Sequence, residues 1–268
     1  MNIIVTIPIN HQVTYAVGDI HGRLDLLELA VDAIESHARG LAARIVFLGD
    51  YIDRGPDSRG VLERLIGLQR DAGAICLKGN HEDMMIRAFT SFRAGEFARW
   101  RQCGGGATLL SYGIGDDDDP TGTMPRDHIR WLAGLPLTTA DPNRIYVHAG
   151  VLPNTSFRDQ DDATLMWIRE AFLRGRPKDF DAHIVHGHTP LWEGKPDPAE
   201  PERLSHRTNL DTGAFATGVL SVGVFERMSP GGPAEIISVR GEAYPHPLSD
   251  IVGPLPPPPI AKRSDRSR

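Results

Sequence analysis

Three times within its first ninety residues this chain repeats one pattern: an apolar run, a polar motif, then helical spacing. Val13–Val17 runs into Asp19-Ile20-His21, after which Leu24, Leu27, Val31 and Ile34 share one helical face. Arg44–Leu48 runs into Gly49-Asp50-Tyr51-Ile52-Asp53-Arg54-Gly55, followed by an amphipathic stretch, Ser58–Gln69, through Val61, Leu62, Leu65 and Ile66. Ala74–Leu77 runs into Gly79-Asn80-His81-Glu82, and a helix is predicted from Glu82 through Met84, Met85, Ile86 and Phe89. Strands that alternate with helices predict βαβ units and a parallel sheet. In such sheets the chemistry gathers outside the carboxyl ends of the strands. Carboxylates and imidazoles placed there add little to a core, but they can hold metal ions.

Three more motifs follow, each read as lying at the mouth of a strand: His148-Ala149-Gly150, Trp167-Ile168-Arg169 and Gly187-His188-Thr189. Arg144–Val147 and Ala182–Val185 read as strands, and Ala163–Leu173 as a helix. Residues 93–142 are less regular, with Gly104-Gly105-Gly106 and Asp116-Asp117-Asp118-Asp119-Pro120 marking loops. The aspartate run lacks the spaced oxygens of a calcium loop and reads as solvated. From His206 onward the pattern is β-rich, through Val219–Phe225 and Glu235–Val239. Turns rather than helices separate these strands, which predicts a second sheet packed on the first. Residues 1–250 are read as one catalytic domain. Residues 251–268, opening with Gly253-Pro254-Leu255-Pro256-Pro257-Pro258-Pro259, are read as a Pro-rich, basic tail outside the core.

Charge narrows the partners. The 268 residues carry a net −6, and four basic side chains against one acidic make residues 251–268 +3, leaving −9 for the rest. An acidic body argues against broad binding to nucleic acid, which needs clustered Lys and Arg. No run approaches a membrane span, and Met1–Gln12 lacks the pattern of a secretory signal, so the chain reads as cytoplasmic. Cys76 and Cys103 supply no disulfide framework: one reads as a buried small hydrophobe, the other as a free thiol in a loop.

Asp19, His21, Asp50, Asn80, His148 and His188 form a mixed oxygen and imidazole set. Such a set suits Mn, Fe, Zn or Co better than Ca or Mg. Asp19 and His21, two apart, are expected to point the same way, and a central Asp50 could bridge two ions. Singly each has a plainer reading: Asp19 as a helix cap, a lone His as a surface or core residue.

The first three motifs resemble the signature motifs of the phosphoprotein phosphatase family of calcineurin-like metallophosphoesterases, and among these the bacterial and phage-lambda type. The resemblance covers roughly residues 13–240. It implies an α/β fold of two mixed β-sheets packed as a sandwich and flanked by helices, four layers α/β/β/α, holding two divalent ions, Mn²⁺ or a similar pair. It implies that Asp19, His21 and Asp50 hold one metal and that Asp50, Asn80, His148 and His188 hold the other. His81 would protonate the leaving oxygen, oriented by Asp53, and Arg54 and Arg169 would clamp phosphoryl oxygens. The family's ligand follows the glycine, which selects His188 and leaves His186 a structural role. Position 190 is Pro where the exonuclease branch has a further histidine. Asp211-Thr212-Gly213-Ala214-Phe215 stands where the eukaryotic enzymes carry Ser-Ala-Pro-Asn-Tyr, so regulatory subunits of the eukaryotic kind are not expected.

The leading expectation is therefore a dimetal protein phosphatase that takes phosphoserine and phosphothreonine, with phosphotyrosine open. Its partners would be phosphorylated proteins, with no nucleic acid and no membrane, and the chain is taken as a monomer. The rivals are a symmetrical bis(5'-nucleosyl)-tetraphosphatase and a non-catalytic metal-binding scaffold. The phosphatase leads because the acidic body offers no clear basic groove for a four-phosphate chain, with only Arg93, Arg99, Arg101, Arg174 and Arg176 as candidates.

Overall fold

The computed structural model describes residues 11–91, 95–115, 117–191 and 199–244. Its first sheet is built from β1 (Val13–Val17), β2 (Ala43–Phe47), β3 (Ile75–Cys76), β9 (Val219–Glu226) and β10 (Glu235–Arg240), in the order β10-β9-β1-β2-β3. The second holds β4 (Thr138–Ala140), β5 (Arg144–Val147), β6 (His183–His186), β7 (Glu202–Arg203) and β8 (Arg207–Asn209), in the order β4-β5-β6-β8-β7. Both sheets are mixed: β1, β2 and β3 are parallel, as are β5, β6 and β8, while β9, β10, β4 and β7 add antiparallel edges.

Side-chain alternation builds the layers. On β1, Tyr15 and Val17 face the helices α1 (Leu24–Ala38) and α2 (Ser58–Ala72), while Ala16 faces the other sheet. Val46, Leu48, Ile75 and Leu77 meet Tyr146, Val185, Leu210 and Phe225 between the sheets. Beyond the second sheet, Val147 and Ile184 pack on Leu165 and Phe172. The order is helix, sheet, sheet, helix, with both faces of the central strands buried, so these strands read as continuous apolar runs.

The β-rich C-terminal region divides between the sheets instead of forming a second one of its own. Arg207–Asn209 extends the second sheet, while β9 and β10 pair onto β1 of the first. A strand's partner is set by tertiary pairing, which an alternation pattern does not encode. Residues 93–142 hold more helix than expected: α3 (Asn80–Thr90) is followed by α4 (Glu96–Trp100), a wide turn over Arg101–Gly105, α5 (Gly106–Ser111), α6 (Pro120–Thr123) and α7 (Arg126–Ala133). The triple glycine is a kink between α4 and α5 rather than an open loop, with Gly104 at φ +110°. In the acidic run, the Asp118 and Asp119 side chains accept the N–H groups of Gly115 and Thr121 in exposed turns. Asp116, Arg93 and the tail 245–268 lie outside the described residues. No helix among the described residues is long and apolar enough to cross a membrane.

Candidate metal centre and active site

The loops that leave the strands converge on one end of the sandwich. Seven non-glycine residues have positive φ among the described residues, and five of them, His21, Asp50, Asp53, Arg54 and His188, lie in these loops. Left-handed backbone costs L-residues energy and persists where the surroundings over-determine it, typically at functional sites. The direction of Asp19 and His21 is therefore not set by strand alternation: β1 ends at Val17, before both, and the His21 backbone is left-handed.

Asp50 is the centre. Its Oδ2 lies 3.6 Å from His21 Nε2 and 3.9 Å from His81 Nε2, and its Oδ1 lies 3.3 Å from His148 Nε2. Two clusters of ligand atoms share this carboxylate, His21–Asp50–His81 and Asp50–His148–His188, each with its atoms within 4.8 Å of one another. Burial drives the Asp50 carboxyl up to about 7. Asn80 joins the second cluster: its Oδ1 is 2.9 Å from His148 Nε2 and 2.8 Å from His188 Nδ1. The far ring nitrogens of two ligands are tied down, His21 Nδ1 donating to Ile52 O (2.8 Å) and His148 Nδ1 to Leu48 O (2.9 Å). Those bonds aim both Nε2 atoms inward.

Several features fit cations at this place. Asp19 Oδ2 accepts the His188 N–H at 3.0 Å, but its Oδ1 is buried without a partner. The carboxyls of Asp19, Asp50 and Asp211 are all raised, first by burial, and Asp211 further opposes the ionisation of both Asp19 and Asp50. The imidazoles of His21 and His188 are held well below their usual value by burial, and His148 falls to about 4, so they are neutral ligands near pH 7. Neutral imidazoles around crowded carboxylates are a donor set for divalent transition metals. Space is reserved for this packing, since a Cβ on Gly187 would fall 1.9 Å from Asp19 Oδ1, and one on Gly79 would fall 2.2 Å from Asp50 Oδ1.

The other expected residues line the same cleft. His81 donates from Nδ1 to Asp53 Oδ2 at 2.7 Å, which turns its Nε2 toward Asp50. The Arg54 guanidinium reaches His21 Nε2 at 2.7 Å and lies over the Phe215 ring, 4.9 Å from its centroid. Arg169 donates to Thr189 Oγ1 at 3.3 Å and feels the charges of Asp211, Asp50 and Asp19. Arg169 does not follow a strand. It lies in the break between α8 (Asp162–Trp167) and α9 (Glu170–Leu173), where the helix expected over 163–173 is interrupted. His186 is buried beneath the ligands against Phe172, with its Nδ1 on Gly187 O, as a structural residue. His37 and His128 bond to Tyr15 and Tyr112 away from the cluster.

Sequence reading passed over four residues. Glu82, fully buried, accepts the N–H groups of Asp50 (2.9 Å), Tyr51 (2.8 Å) and Gly79 (2.8 Å), tying two motif loops together. Burial raises its carboxyl to about 7. In the sequence it is an acid in the first turn of a helix, which needs no further explanation. Trp100 and Thr108 both bond to the Asp53 carboxylate, yet they come from the irregular stretch. Asp211 is buried among Asp19, Arg54 and Arg169, and its place in the Asp-Thr-Gly-Ala-Phe segment was the available signal.

This fold and this cluster define a metal-binding phosphoester hydrolase. Residues 13–215 match the family model of the calcineurin-like phosphoesterases, and the chain belongs to that family. A symmetrical bis(5'-nucleosyl)-tetraphosphatase of Janthinobacterium sp. (strain Marseille) is 31% identical over 186 residues, 67% of this chain and 58% of that protein. The chain thus spans about half the length of these symmetrical relatives, with 44% for the one from Ralstonia nicotianae. An asymmetrical bis(5'-nucleosyl)-tetraphosphatase of Oceanobacillus iheyensis is 27% identical over 219 residues, 74% of this chain and 82% of that protein. A serine/threonine-protein phosphatase of Salmonella typhimurium matches more weakly, at 28% over 187 residues, 68% of this chain and 81% of that protein. Among solved structures, a candidate diadenosine tetraphosphatase superposes with a TM-score of 0.60 at 24% identity, over 89% of this chain and 98% of that one, a likeness of fold.

These relatives overturn the expectation of a protein phosphatase. Four of these similar proteins are named bis(5'-nucleosyl)-tetraphosphatases, two symmetrical and two asymmetrical, at 26–31% identity. The error lay in the charge argument. Net charge is a property of the whole surface, while phosphate binding is decided by the few cations that face the cleft. Arg54 and Arg169 are in that cleft whatever the rest of the body carries.

Proposed function

We propose that this chain is a metal-dependent hydrolase of bis(5'-nucleosyl) tetraphosphates, cleaving a phosphoanhydride within the polyphosphate chain. The observation that supports the reading is the agreement between these tetraphosphatase relatives and a site in which two arginines act on a shared carboxylate. His21 and Asp50 would hold one ion with Asp19, which lies outside the two atom clusters and feels the charge of Asp50. Asp50, His148 and His188 would hold the other with Asn80, Mn²⁺, Fe, Zn and Co all being suited to the donor set. When bound, the pair supplies charge neutralisation for the reacting phosphate and an acidified water.

The chain's own residues supply the rest. Arg54 and Arg169 offer planar forks to phosphoryl oxygens. As water's oxygen bonds to phosphorus, the bridging P–O bond breaks and the leaving oxygen takes a proton from His81 Nε2. That donation needs the doubly protonated ring, against the burial that holds His81 well below its ordinary value, and Asp53, bonded to Nδ1 at 2.7 Å, is the acceptor that steadies this imidazolium. A nucleotide leaving through phosphate needs less of that proton than an alkoxide does.

Hydrolysis of diadenosine tetraphosphate by the Mn²⁺-loaded chain, with products separated by anion exchange, tests the proposal. A kcat/KM well above that for phosphopeptides is expected, and two ADP or ATP plus AMP will identify the bond cut. Turnover confined to phosphopeptides would remove the reading.

A further inference from the structure

Asp53 is surrounded by donors. Its carboxylate accepts Trp100 Nε1–H on both oxygens (3.1 and 3.0 Å), the Thr108 hydroxyl on Oδ1 (2.7 Å) and His81 Nδ1 on Oδ2 (2.7 Å). Burial raises the Asp53 carboxyl well above the usual range, and the hydroxyl and the indole N–H, which can only donate, oppose that rise and keep both oxygens acceptors. The Asp53 backbone is left-handed, with φ +73°, and its N–H is held by Ser58 Oγ (3.0 Å) and Thr108 Oγ1 (2.9 Å). Arg54, next in the chain at φ +71°, donates its N–H to Gly104 O at 3.2 Å.

Except for His81 and Ser58, all these partners come from α4, the wide turn and α5, and the packing there is close. Trp100 is fully buried, and a Cβ on Gly105 would fall 2.5 Å from its ring. A Cβ on Gly104 would fall 2.8 Å from Arg54 Cγ. This segment, read from sequence as irregular, grips both the strained Asp53–Arg54 backbone and the Asp53 side chain.

We infer that Trp100 and Thr108 are positioning residues for proton delivery: their donors keep Asp53 an oriented acceptor, and Asp53 in turn fixes His81 with Nδ1 donating and Nε2 toward the leaving oxygen. The inference deepens the proposed function, resting on His81 as the acid. It assigns the 95–111 segment a part in the chemistry.

The test compares Trp100→Phe, which keeps a ring and deletes the N–H, with Thr108→Val, Thr108→Ser and a His81→Asn reference, all as metal-loaded protein. On phenyl phosphate, whose leaving oxygen needs a proton, Trp100→Phe and Thr108→Val should lose about tenfold in kcat at unchanged KM and metal content, part of the roughly 10²–10⁴ a general acid supplies. On p-nitrophenyl phosphate the loss should be small, and Thr108→Ser should restore both rates. In the diamagnetic Zn²⁺ form, the downfield Nδ1–H resonance that disappears in His81→Asn should move upfield in Trp100→Phe and Thr108→Val. Equal losses on both esters, or an unmoved resonance, would make the two residues structural and overturn the inference. If His81→Asn itself fails to discriminate between the esters, the acid assignment falls, and this inference falls with it. If His81→Asn discriminates and the two variants do not, the inference fails alone.

Discussion

The two ligand clusters that meet at Asp50 are assembled in different ways. The first, His21 and Asp50 with the acid His81 beside them, comes from three loops within about sixty residues, all leaving adjacent parallel strands of one sheet. The second takes Asn80 and Asp50 from that sheet but His148 and His188 from the other, 68 and 108 residues beyond Asn80. The first cluster is a product of local loop geometry, including the left-handed backbones of His21 and Asp50. The second exists only if the sheets pack in the right register. Asp50 belongs to both, so the site works as one unit although it has two origins.

The most damaging single change should be Asp50→Asn, which weakens both clusters at once. Activity should fall by at least about 10³-fold, and elemental analysis should find both metal positions depleted. Full metal content with normal turnover would refute a shared carboxylate.

Glu82→Ala should come next, and should show in stability more than in one cluster. It strips the acceptor from three N–H groups of two loops, a loss of about 3 kcal/mol or more in unfolding free energy. Denaturant unfolding of the metal-free protein measures this, and a change under about 0.5 kcal/mol would mean water replaces the carboxylate.

Losing one ligand from either side separates the two origins. His148→Ala should lower metal content by one ion per chain and leave the His81 environment unchanged, while His21→Ala should deplete the other position. Losses of two ions in both variants would show that the clusters cannot be loaded singly.

The smallest effect expected is a pH dependence of metal binding. Burial raises the Asp50 carboxyl to about 7, so below that pH an incoming ion must displace a proton. Affinity should therefore rise as pH climbs toward 7, by up to about tenfold per unit, and level off above it. Calorimetry in buffers of different ionisation enthalpy would count the released protons. A flat profile from pH 5.5 to 8, a window spanning about 7, would mean Asp50 is ionised before metal arrives.

How far the site was legible varies from residue to residue. Asp19, His21, Asp50, Asn80 and His81 were readable because each ends an apolar run and short loops leave little choice of direction. Arg169 was found by its motif but misplaced. Helical spacing continues across 163–173, and no Gly or Pro marks the break where Ile168 turns extended at ψ 141°. Glu82 looked complete as a first-turn acid, and its three N–H partners include Asp50 and Tyr51, more than thirty residues away. Trp100 gave no signal at all, because what matters is which carboxylate its N–H meets.

Periodicity, then, determined the elements and put carboxylates and imidazoles at their ends, because strand and helix spacing are local properties of the chain. The substrate preference first drawn from composition was wrong, since net charge averages over a surface while recognition depends on a few facing groups. Tertiary structure alone decided that β9 and β10 join the first sheet, that two sheets share one carboxylate, and that a helical segment grips Asp53. Each of these depends on which distant groups are brought within a few ångströms, and packing sets that distance.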